Sequence, residues 1–140
     1  MKITLLSIGK TKQKEYAVLE QEYAKRMSGR FQFTTHYVKN EKELLKAAQQ
    51  LQGTIVLMDE NGSTMNSREF AQFIDRSSRS SNHLTFIIGD AEGFSADMRA
   101  LQADIIALSE MTYPHEMARV VLIEQIYRAQ TILDGHPYHK

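Results

Sequence analysis

The chain has no cysteine among its 140 residues and only two prolines. Without cysteine, disulfides, cysteine zinc sites and thiol nucleophiles are excluded. No apolar run approaches the length that crosses a membrane. The apolar segment within residues 1–10 lacks the longer hydrophobic region and cleavage site of a signal peptide. We therefore expect a soluble cytoplasmic protein, and the length favours a single domain spanning residues 1–140.

Two familiar catalytic patterns are also missing. His36, His83 and His136 have no metal-ligand spacing with one another or with the two other histidines, so the sequence predicts no metal site. No Gly-x-Ser-x-Gly elbow is present, and a serine hydrolase therefore has no support.

The formal net charge is zero, but the charges are distributed unevenly. Residues 1–30 carry seven Lys and Arg against three Glu, whereas residues 31–110 carry seven against eleven acidic residues. A basic N-terminal third is typical of a surface that contacts a polyanion. The alternative is an ordinary solvated helix face. The basic residues are Lys2, Lys10, Lys12, Lys14, Lys25, Arg26 and Arg30.

Hydrophobic periodicity predicts strands that alternate with helices along the whole chain. The predicted strands are 2–8, 31–38, 54–59, 84–88 and 104–108, and the predicted helices are 14–27, 41–51, 66–79, 96–102 and one that opens at Pro114 and stops at Gly135. In the first helix, Tyr16, Leu19, Tyr23 and Met27 define an apolar face, and residues 60–63 indicate a turn. The alternation predicts an α/β fold, a mainly parallel sheet with helices on both faces.

Two loops that follow apolar strands are candidates for a ligand cleft, because ligands of open α/β sheets bind at the carboxyl ends of strands. The first loop is 89–93, whose glycines allow close backbone approach; it is neither a dinucleotide fingerprint nor a Walker loop, and a tight turn is the plain alternative. The second runs from Leu108 to Pro114 and His115. Asp59, Glu60, Asp90 and Glu92 would ring the cleft with negative charge, which suits a cationic ligand, although acidic residues are common in turns.

The last helix carries the polar side chains that are the clearest candidates for a role in catalysis or binding. His115 stands at its N-terminus, where the helix dipole favours a neutral imidazole able to exchange a proton; the alternative is a capping or packing histidine. Arg119 and Arg128 are two and a half turns apart and project from opposite faces, one toward the cleft and one toward a partner or RNA. The alternative is two snorkelling arginines. The tail 138–140 is expected to be disordered, unless it folds over a cleft.

These pieces together resemble the RlmH family of ribosomal RNA large-subunit methyltransferases, small enzymes of the SPOUT class, over essentially the whole chain. The matching segments are Met1-Lys2-Ile3-Thr4, Gly9-Lys10, Ile87-Ile88-Gly89, Glu92-Gly93, Leu108-Ser109, Met111-Thr112, Pro114-His115, Arg119-Val120, Glu124 to Ala129 and Tyr138-His139-Lys140. The resemblance implies an α/β sheet with a C-terminal trefoil knot, S-adenosylmethionine bound in the knot, and a homodimer. It further implies methylation of N3 of a pseudouridine in a hairpin of 23S rRNA on assembled ribosomes.

Position by position, the resemblance also implies the site residues. The cofactor pocket would use Met58, Gly89, Leu108, Ser109, Glu110, Met111, Thr112 and Tyr113. The catalytic, substrate-side residues would be His115, Arg119, Arg128, Tyr138 and His139.

The chain departs from the family pattern in three places: the connection 39–43 is short, Asp90 stands where a second glycine is common, and Met58 stands where leucine is common. Two alternatives stay open: a non-catalytic RNA- or nucleotide-binding module, and a SPOUT methyltransferase that acts on tRNA.

Overall fold

The computed structural model describes residues 1–140 as five strands and five helices in alternation. The elements are β1 (Lys2–Ile8), α1 (Lys14–Arg26), β2 (Gln32–Val38), α2 (Glu41–Gln49), β3 (Thr54–Thr64), α3 (Ser67–Ser80), β4 (His83–Ile88), α4 (Ala96–Arg99), β5 (Asp104–Ala107) and α5 (His115–Asp134). Every predicted element is present, and most boundaries agree within about two residues. Two elements are exceptions: the fourth helix ends three residues earlier than expected, at Arg99, and the third strand continues five residues further, to Thr64.

The five strands form one sheet in the order β2-β1-β4-β3-β5, and every neighbouring pair is parallel. This confirms the predicted α/β class with a parallel sheet. The carboxyl ends of β3, β4 and β5 therefore lie side by side at one edge. The trefoil knot that the family resemblance implies stays a prediction.

Helices cover both faces of the sheet, as parallel strands require for their burial. On one face, side chains from α3 and α5 such as Ile74, Leu122 and Ile126 pack on the strands in the larger hydrophobic cluster. On the other face, Leu44 of α2 and Met98 of α4 belong to a smaller cluster. The long helix α5 is thus fixed across the sheet by apolar burial, with its first residue beside the carboxyl ends of the strands.

The predicted turn at residues 60–63 is wrong, because β3 continues through it to Thr64. A register shift between Met58 and Ser63 lets the strand bulge and then pair again with β5, Ser63 opposite Ile106. Gly62 permits this: a Cβ on it would lie 2.7 Å from the carbonyl carbon of Ile105. An Asn-Gly pair, which usually marks a turn, here serves a β-bulge.

The apolar face predicted for α1 is wrong at Leu19, which is 41% exposed, while the buried residue of the helix is Glu20. The carboxylate of Glu20 accepts a hydrogen bond from the Tyr37 hydroxyl at 2.9 Å and another from Thr11. A buried carboxylate is tolerated only when it is hydrogen-bonded in this way. The helix is therefore held by this polar contact with β2 and by the packing of Tyr23 on Tyr127 of α5, and Leu19 takes no part in its buried face.

The predicted helix ends are largely confirmed. Asn66 and Glu69 form a reciprocal capping box at the start of α3, and Gly135 ends α5 in the left-handed conformation. Pro114, expected at the first helical position, instead occupies the N-cap of α5 with an extended ψ of 147°. The helix therefore begins one residue later, with His115 in its first turn.

Candidate functional site

A cavity of about 390 Å³ opens at the carboxyl ends of β3, β4 and β5. Its volume lies within the range of small-molecule sites, and its position is the one where open parallel sheets bind ligands. Three segments supply most of the wall: residues 58–61 in the bulged part of β3, residues 88–94 at and after the end of β4, and the loop from Leu108 to His115 after β5. Arg99 of α4 and Ala118 of α5 complete it.

The cavity brings together most of the predicted cofactor residues. Its lining includes Met58, Gly89, Leu108, Ser109, Met111, Thr112 and Tyr113. Glu110 of the same set is exposed in the middle of the loop and does not line the cavity. Three strands that are distant in sequence thus converge on the space that the family resemblance predicts for the cofactor.

Side-chain hydrogen bonds hold the loop after β5 in place. The Ser109 hydroxyl accepts from the Met111 amide at 2.8 Å and donates to the Met111 carbonyl at 3.0 Å. The Thr112 hydroxyl donates to the Glu60 carboxylate at 2.5 Å. The hydrogen bond from Thr112 joins the loop to β3, so the two sides of the cavity are linked.

The loop after β4 forms a compact turn over the cavity. The Asp90 carboxylate accepts from the Glu92 amide at 2.9 Å, and Asp90 and Gly93 form an isolated antiparallel bridge. Gly93 has a φ of 85°, a conformation that favours glycine. The loop 89–93 is therefore a tight turn, as the plain alternative had it. It also lines the cavity, as expected for a loop whose glycines allow close backbone approach.

Four carboxylates face the cavity, as the sequence predicts: Asp59, Glu60, Asp90 and Glu92. Burial by itself raises the pKa of Asp59, but hydrogen bonds from the Asn61 amide and from Arg99 outweigh it and hold the pKa below its ordinary value. Asp59 is thus an anion at neutral pH. This acidic lining favours a ligand that carries positive charge.

Arg99 is a lining residue that sequence reasoning missed. Its Nη2 donates to the Asp59 carboxylate at 2.5 Å, across the cavity wall from α4 to β3. The available signal was a basic residue on the short helix behind the glycine loop. Periodicity could not show its direction, because four helical residues define no face.

His115 lines the cavity from the first turn of α5. Its Nε2 lies 3.1 Å from the carbonyl oxygen of Ile8, which can only accept, so Nε2 carries the hydrogen. A neutral imidazole with this tautomer keeps a lone pair on Nδ1. The side chain is therefore anchored at one nitrogen and has an acceptor at the other.

Arg119 is almost completely buried, with 1% exposure, and does not line the cavity. It donates to the Gly9 carbonyl at 2.6 Å, and its guanidinium lies 5.1 Å from the ring centroid of Tyr37. The snorkelling alternative is wrong for this residue because the charged head is inside. The contacts tie α5 to the end of β1.

The C-terminal tail folds back on α5, so the expectation of disorder is wrong, and it does not cover the cavity. The ring centroids of Tyr138 and Tyr127 are 4.8 Å apart, and the Tyr138 hydroxyl donates to the Glu124 carboxylate at 3.3 Å. Arg128 donates to His139 Nδ1 at 3.0 Å and also pairs with Glu124. Burial and then the Glu124 carboxylate raise the pKa of Tyr138 to about 12.

The side chains of Arg128, Tyr138 and His139 therefore form one cluster with Glu124, which we call the tail cluster. The hydrogen bond from Arg128 to Glu124 is the main cause of the raised pKa of the Arg128 guanidinium. The tail cluster is separate from the cavity, since none of its members is among the lining residues. The structure thus divides the predicted catalytic residues among three places: His115 lines the cavity, Arg119 is buried against Gly9 and Tyr37, and the other three lie in the tail cluster.

The basic N-terminal residues also divide into two groups. Arg26 pairs with Glu22, and Arg30 pairs with Asp134 at 2.7 Å. In contrast, Lys10, Lys12 and Lys14 are exposed and form no ion pair. No group of acidic or histidine side chains is arranged to hold a metal ion, and no helix is both long and apolar enough to span a membrane.

Comparison with known proteins assigns the chain to a class. Residues 1–139 match the family model described as a predicted SPOUT methyltransferase. A probable methylase family protein from Haemophilus influenzae shares the fold with a TM-score of 0.60 at 8% identity, covering 99% of this chain and 70% of that one.

Three curated relatives narrow the class further, and each carries the name ribosomal RNA large subunit methyltransferase H. The protein of Koribacter versatilis is 38% identical, covering 99% of this chain and 98% of its own. The proteins of Bacteroides thetaiotaomicron and Clostridium tetani are 37% and 33% identical over at least 99% of both chains. The chain belongs to the SPOUT methyltransferases and, within them, to the ribosomal RNA large subunit methyltransferase H family, which confirms the family and enzyme class predicted from the sequence.

Proposed function

We propose that the protein transfers a methyl group from S-adenosylmethionine to N3 of a pseudouridine in 23S rRNA, on the assembled ribosome and in the cytoplasm. The observation that carries this proposal is the convergence of family and geometry. The full-length relatives carry the name of an rRNA methyltransferase, and seven of the eight residues expected to hold the cofactor line one cavity.

The cavity suits S-adenosylmethionine in both polarity and size. Met58, Ile88 and Leu108 offer apolar surface to an adenine ring, and the free backbone groups of the two loops can pair with its edge. The four carboxylates suit the positive charge of the sulfonium and ammonium groups. The bound cofactor would supply a methyl group already activated by the sulfonium.

The protein must then orient the target base and accept its N3 proton, because a protonated imide is a poor nucleophile. His115 is well placed to accept this proton, since it lines the cavity, is fixed through Nε2, and keeps an acceptor on Nδ1. His139 is the second candidate base, and Arg128 would stabilise the imide anion, whereas the buried Arg119 holds α5 to the end of β1. The tail cluster supplies His139, Arg128 and Tyr138 together.

The separation of these groups supports a homodimer. Residues 115 and 128 lie on the same helix, about 20 Å apart at 1.5 Å per residue. Within one chain they cannot contact the same base. A dimer with the apolar helix α5 at its seam would bring the tail cluster of one protomer toward the cavity of its partner.

The direct test is transfer of labelled methyl groups from S-adenosylmethionine to intact ribosomes, free 23S rRNA and tRNA in parallel. We expect label on intact ribosomes, lost when their RNA lacks pseudouridine. Label on tRNA alone would overturn the substrate and leave a SPOUT enzyme of another specificity. No label on any RNA, from folded protein, would favour a non-catalytic binding module.

The proposed base is tested by replacing His115 and His139 with alanine, singly and together. A general base contributes about 10²–10⁴-fold to the rate. We expect a loss in this range for the variant that removes the true base, with binding of S-adenosylmethionine retained. Unchanged transfer in the double variant would show that neither histidine is the base.

A further inference from the structure

Arg99 is the single lysine or arginine among the residues that line the cavity, which otherwise carries four carboxylates and one histidine. Its side chain is 42% exposed, whereas that of its partner Asp59 is only 6% exposed. In this ion pair the Asp59 carboxylate is buried in the cavity wall, whereas the Arg99 guanidinium reaches the open cavity. Nothing in the family assignment gives this arginine a role.

The geometry leaves part of the guanidinium free for a ligand. Asp59 accepts from Nη2, while Nη1 and Nε take no part in that contact. An arginine offers five N–H donors in a planar fork, suited to a carboxylate. Gly93 lies beside the guanidinium, since a Cβ on it would be 4.0 Å from Nη2, so the loop after β4 and Arg99 border the same part of the cavity.

S-adenosylmethionine would bring a negatively charged group into an acidic cavity, and Arg99 carries the opposite charge. The methionyl end of the cofactor carries a carboxylate, and Asp59, Glu60, Asp90 and Glu92 would repel it. The carboxylate thus needs a cation on this wall, and Arg99 is the residue that provides one.

We propose that Arg99 binds the carboxylate of the methionyl end of S-adenosylmethionine, and that Asp59 orients the guanidinium for it. The inference rests on the proposed function, since it assumes this cofactor in the cavity. Arg99 thereby makes the site select a ligand that carries both an anionic and a cationic group. The ammonium group on the same carbon is left to the surrounding carboxylates.

The test is a binding cycle with two ligands and two forms of the protein. Titration calorimetry measures Kd for S-adenosylmethionine and for its decarboxylated analogue, which differs by the carboxylate alone. In Arg99→Gln we expect Kd for S-adenosylmethionine to rise about tenfold or more, and Kd for the analogue to stay unchanged or fall. Arg99→Lys should recover part of the loss, because it restores the charge without the fork.

Arg76→Gln is the matched control, since Arg76 is an exposed arginine of α3 outside the cavity. It should leave both Kd values unchanged. Equal weakening of the two ligands by Arg99→Gln would overturn the proposal and make Arg99 a purely structural residue. If the folded wild-type protein bound neither ligand, the proposed function itself would fail, and this outcome is distinct from the first.

Discussion

At the scale of single residues, the site depends on polar contacts between side chains far apart in the sequence. Asp59 and Arg99 are 40 residues apart, yet their ion pair joins β3 to α4 at the cavity wall. Glu60 and Thr112 join β3 to the loop after β5. These contacts give the cavity a defined shape before any ligand enters, which reduces the ordering cost of binding.

The lowered pKa of Asp59 predicts that the stability of the protein depends on pH. Because this pKa is lowered in the folded protein, the Asp59 carboxylate contributes stability above the unfolded-state pKa of about 4, and this contribution is lost as the pH falls through the folded-state pKa. We expect the wild-type protein to melt at a higher temperature than Asp59→Asn at pH 7, with the difference shrinking below about pH 4. Thermal unfolding followed by circular dichroism between pH 3 and 7 measures it.

Asp97→Asn provides the control for this pH series, because Asp97 is an exposed carboxylate on α4 without an ion pair. Its melting temperature should follow that of the wild type across the range. A gap between wild type and Asp59→Asn that does not change with pH would contradict the stabilising role of the charged Asp59.

Single residues were predictable from the sequence where their role follows from chain position. Gly89 directly follows β4, and His115 begins the helix after the loop that follows β5, so the parallel sheet brings both to one edge. Met58 was implied by the family resemblance alone. Arg119 was not predictable in this way. Its burial depends on the Gly9 carbonyl and the Tyr37 ring, about a hundred residues away, and local periodicity holds no information on such contacts.

At the scale of elements, the first turn of α5 holds the connection between β1 and α1. His115 donates to Ile8, and Arg119 donates to Gly9. The Glu116 carboxylate accepts from the amides of Lys12 and Gln13 at 3.1 Å. The start of α5 therefore holds in place both His115 at the cavity and the lysine-bearing connection 9–13 between β1 and α1.

Glu116→Ala should loosen this loop without unfolding the protein. The hydrogen bond from the Gln13 amide is the main cause of the lowered pKa of Glu116, which shows that the carboxylate accepts it in the charged form. We expect the amides of Lys12 and Gln13 to exchange hydrogen several-fold faster in the variant, since both lose their acceptor.

Glu15→Ala removes the same charge from an exposed position of α1 beside the loop. Hydrogen exchange of the two amides, measured by NMR, should be unchanged in this control. Equal exchange rates in wild type and Glu116→Ala would mean that the carboxylate does not hold the loop.

The alternation of strands and helices was predictable because each element has a clear period or cap. The capping box of α3 is a direct sequence signature of a helix start. The extension of β3 was not predictable, since Asn61-Gly62 ordinarily marks a turn and only pairing with β5 reveals the bulge. The predicted apolar face of α1 was wrong at Leu19 for a similar reason. The buried residue there is Glu20, whose hydrogen bond from Tyr37 no apolar pattern reveals.

At the scale of the whole molecule, a neutral chain separates its charges. The cavity is acidic, whereas Lys10, Lys12 and Lys14 lie exposed on the connection that α5 holds and at the start of α1. Such a division suits a protein that binds a cationic small molecule and a polyanion at different surfaces.

Replacing Lys10, Lys12 and Lys14 with glutamate should weaken ribosome binding and reduce its salt dependence. For each phosphate that is no longer neutralised, the slope of log K against log salt becomes shallower by about 0.9 on duplex and about 0.7 on single strands. Lys39, Lys42 and Lys46 are exposed on the α2 side and give a triple control of equal charge. An identical salt slope for the two triple variants, by filter binding, would contradict this placement of the RNA surface.

The sheet class was predictable from the sequence, but the strand order was not. Parallel pairing follows from strands that alternate with helices. The order β2-β1-β4-β3-β5 depends on which strands meet across long separations, and no local pattern encodes this. The family resemblance, rather than periodicity, indicated which segments build the cofactor site that we propose.

The cavity at the ends of β3, β4 and β5 is where we expect S-adenosylmethionine to bind, and the proposed activity depends on this binding. Methyl NMR of protein labelled at its methionine methyl groups tests it, because Met58 and Met111 line the cavity while Met27 is buried in the core cluster on the α1 face of the sheet. Titration with S-adenosylmethionine should shift the signals of Met58 and Met111 and leave that of Met27 in place. Signals of Met58 and Met111 that do not move at saturating ligand would contradict the assignment of this cavity to the cofactor.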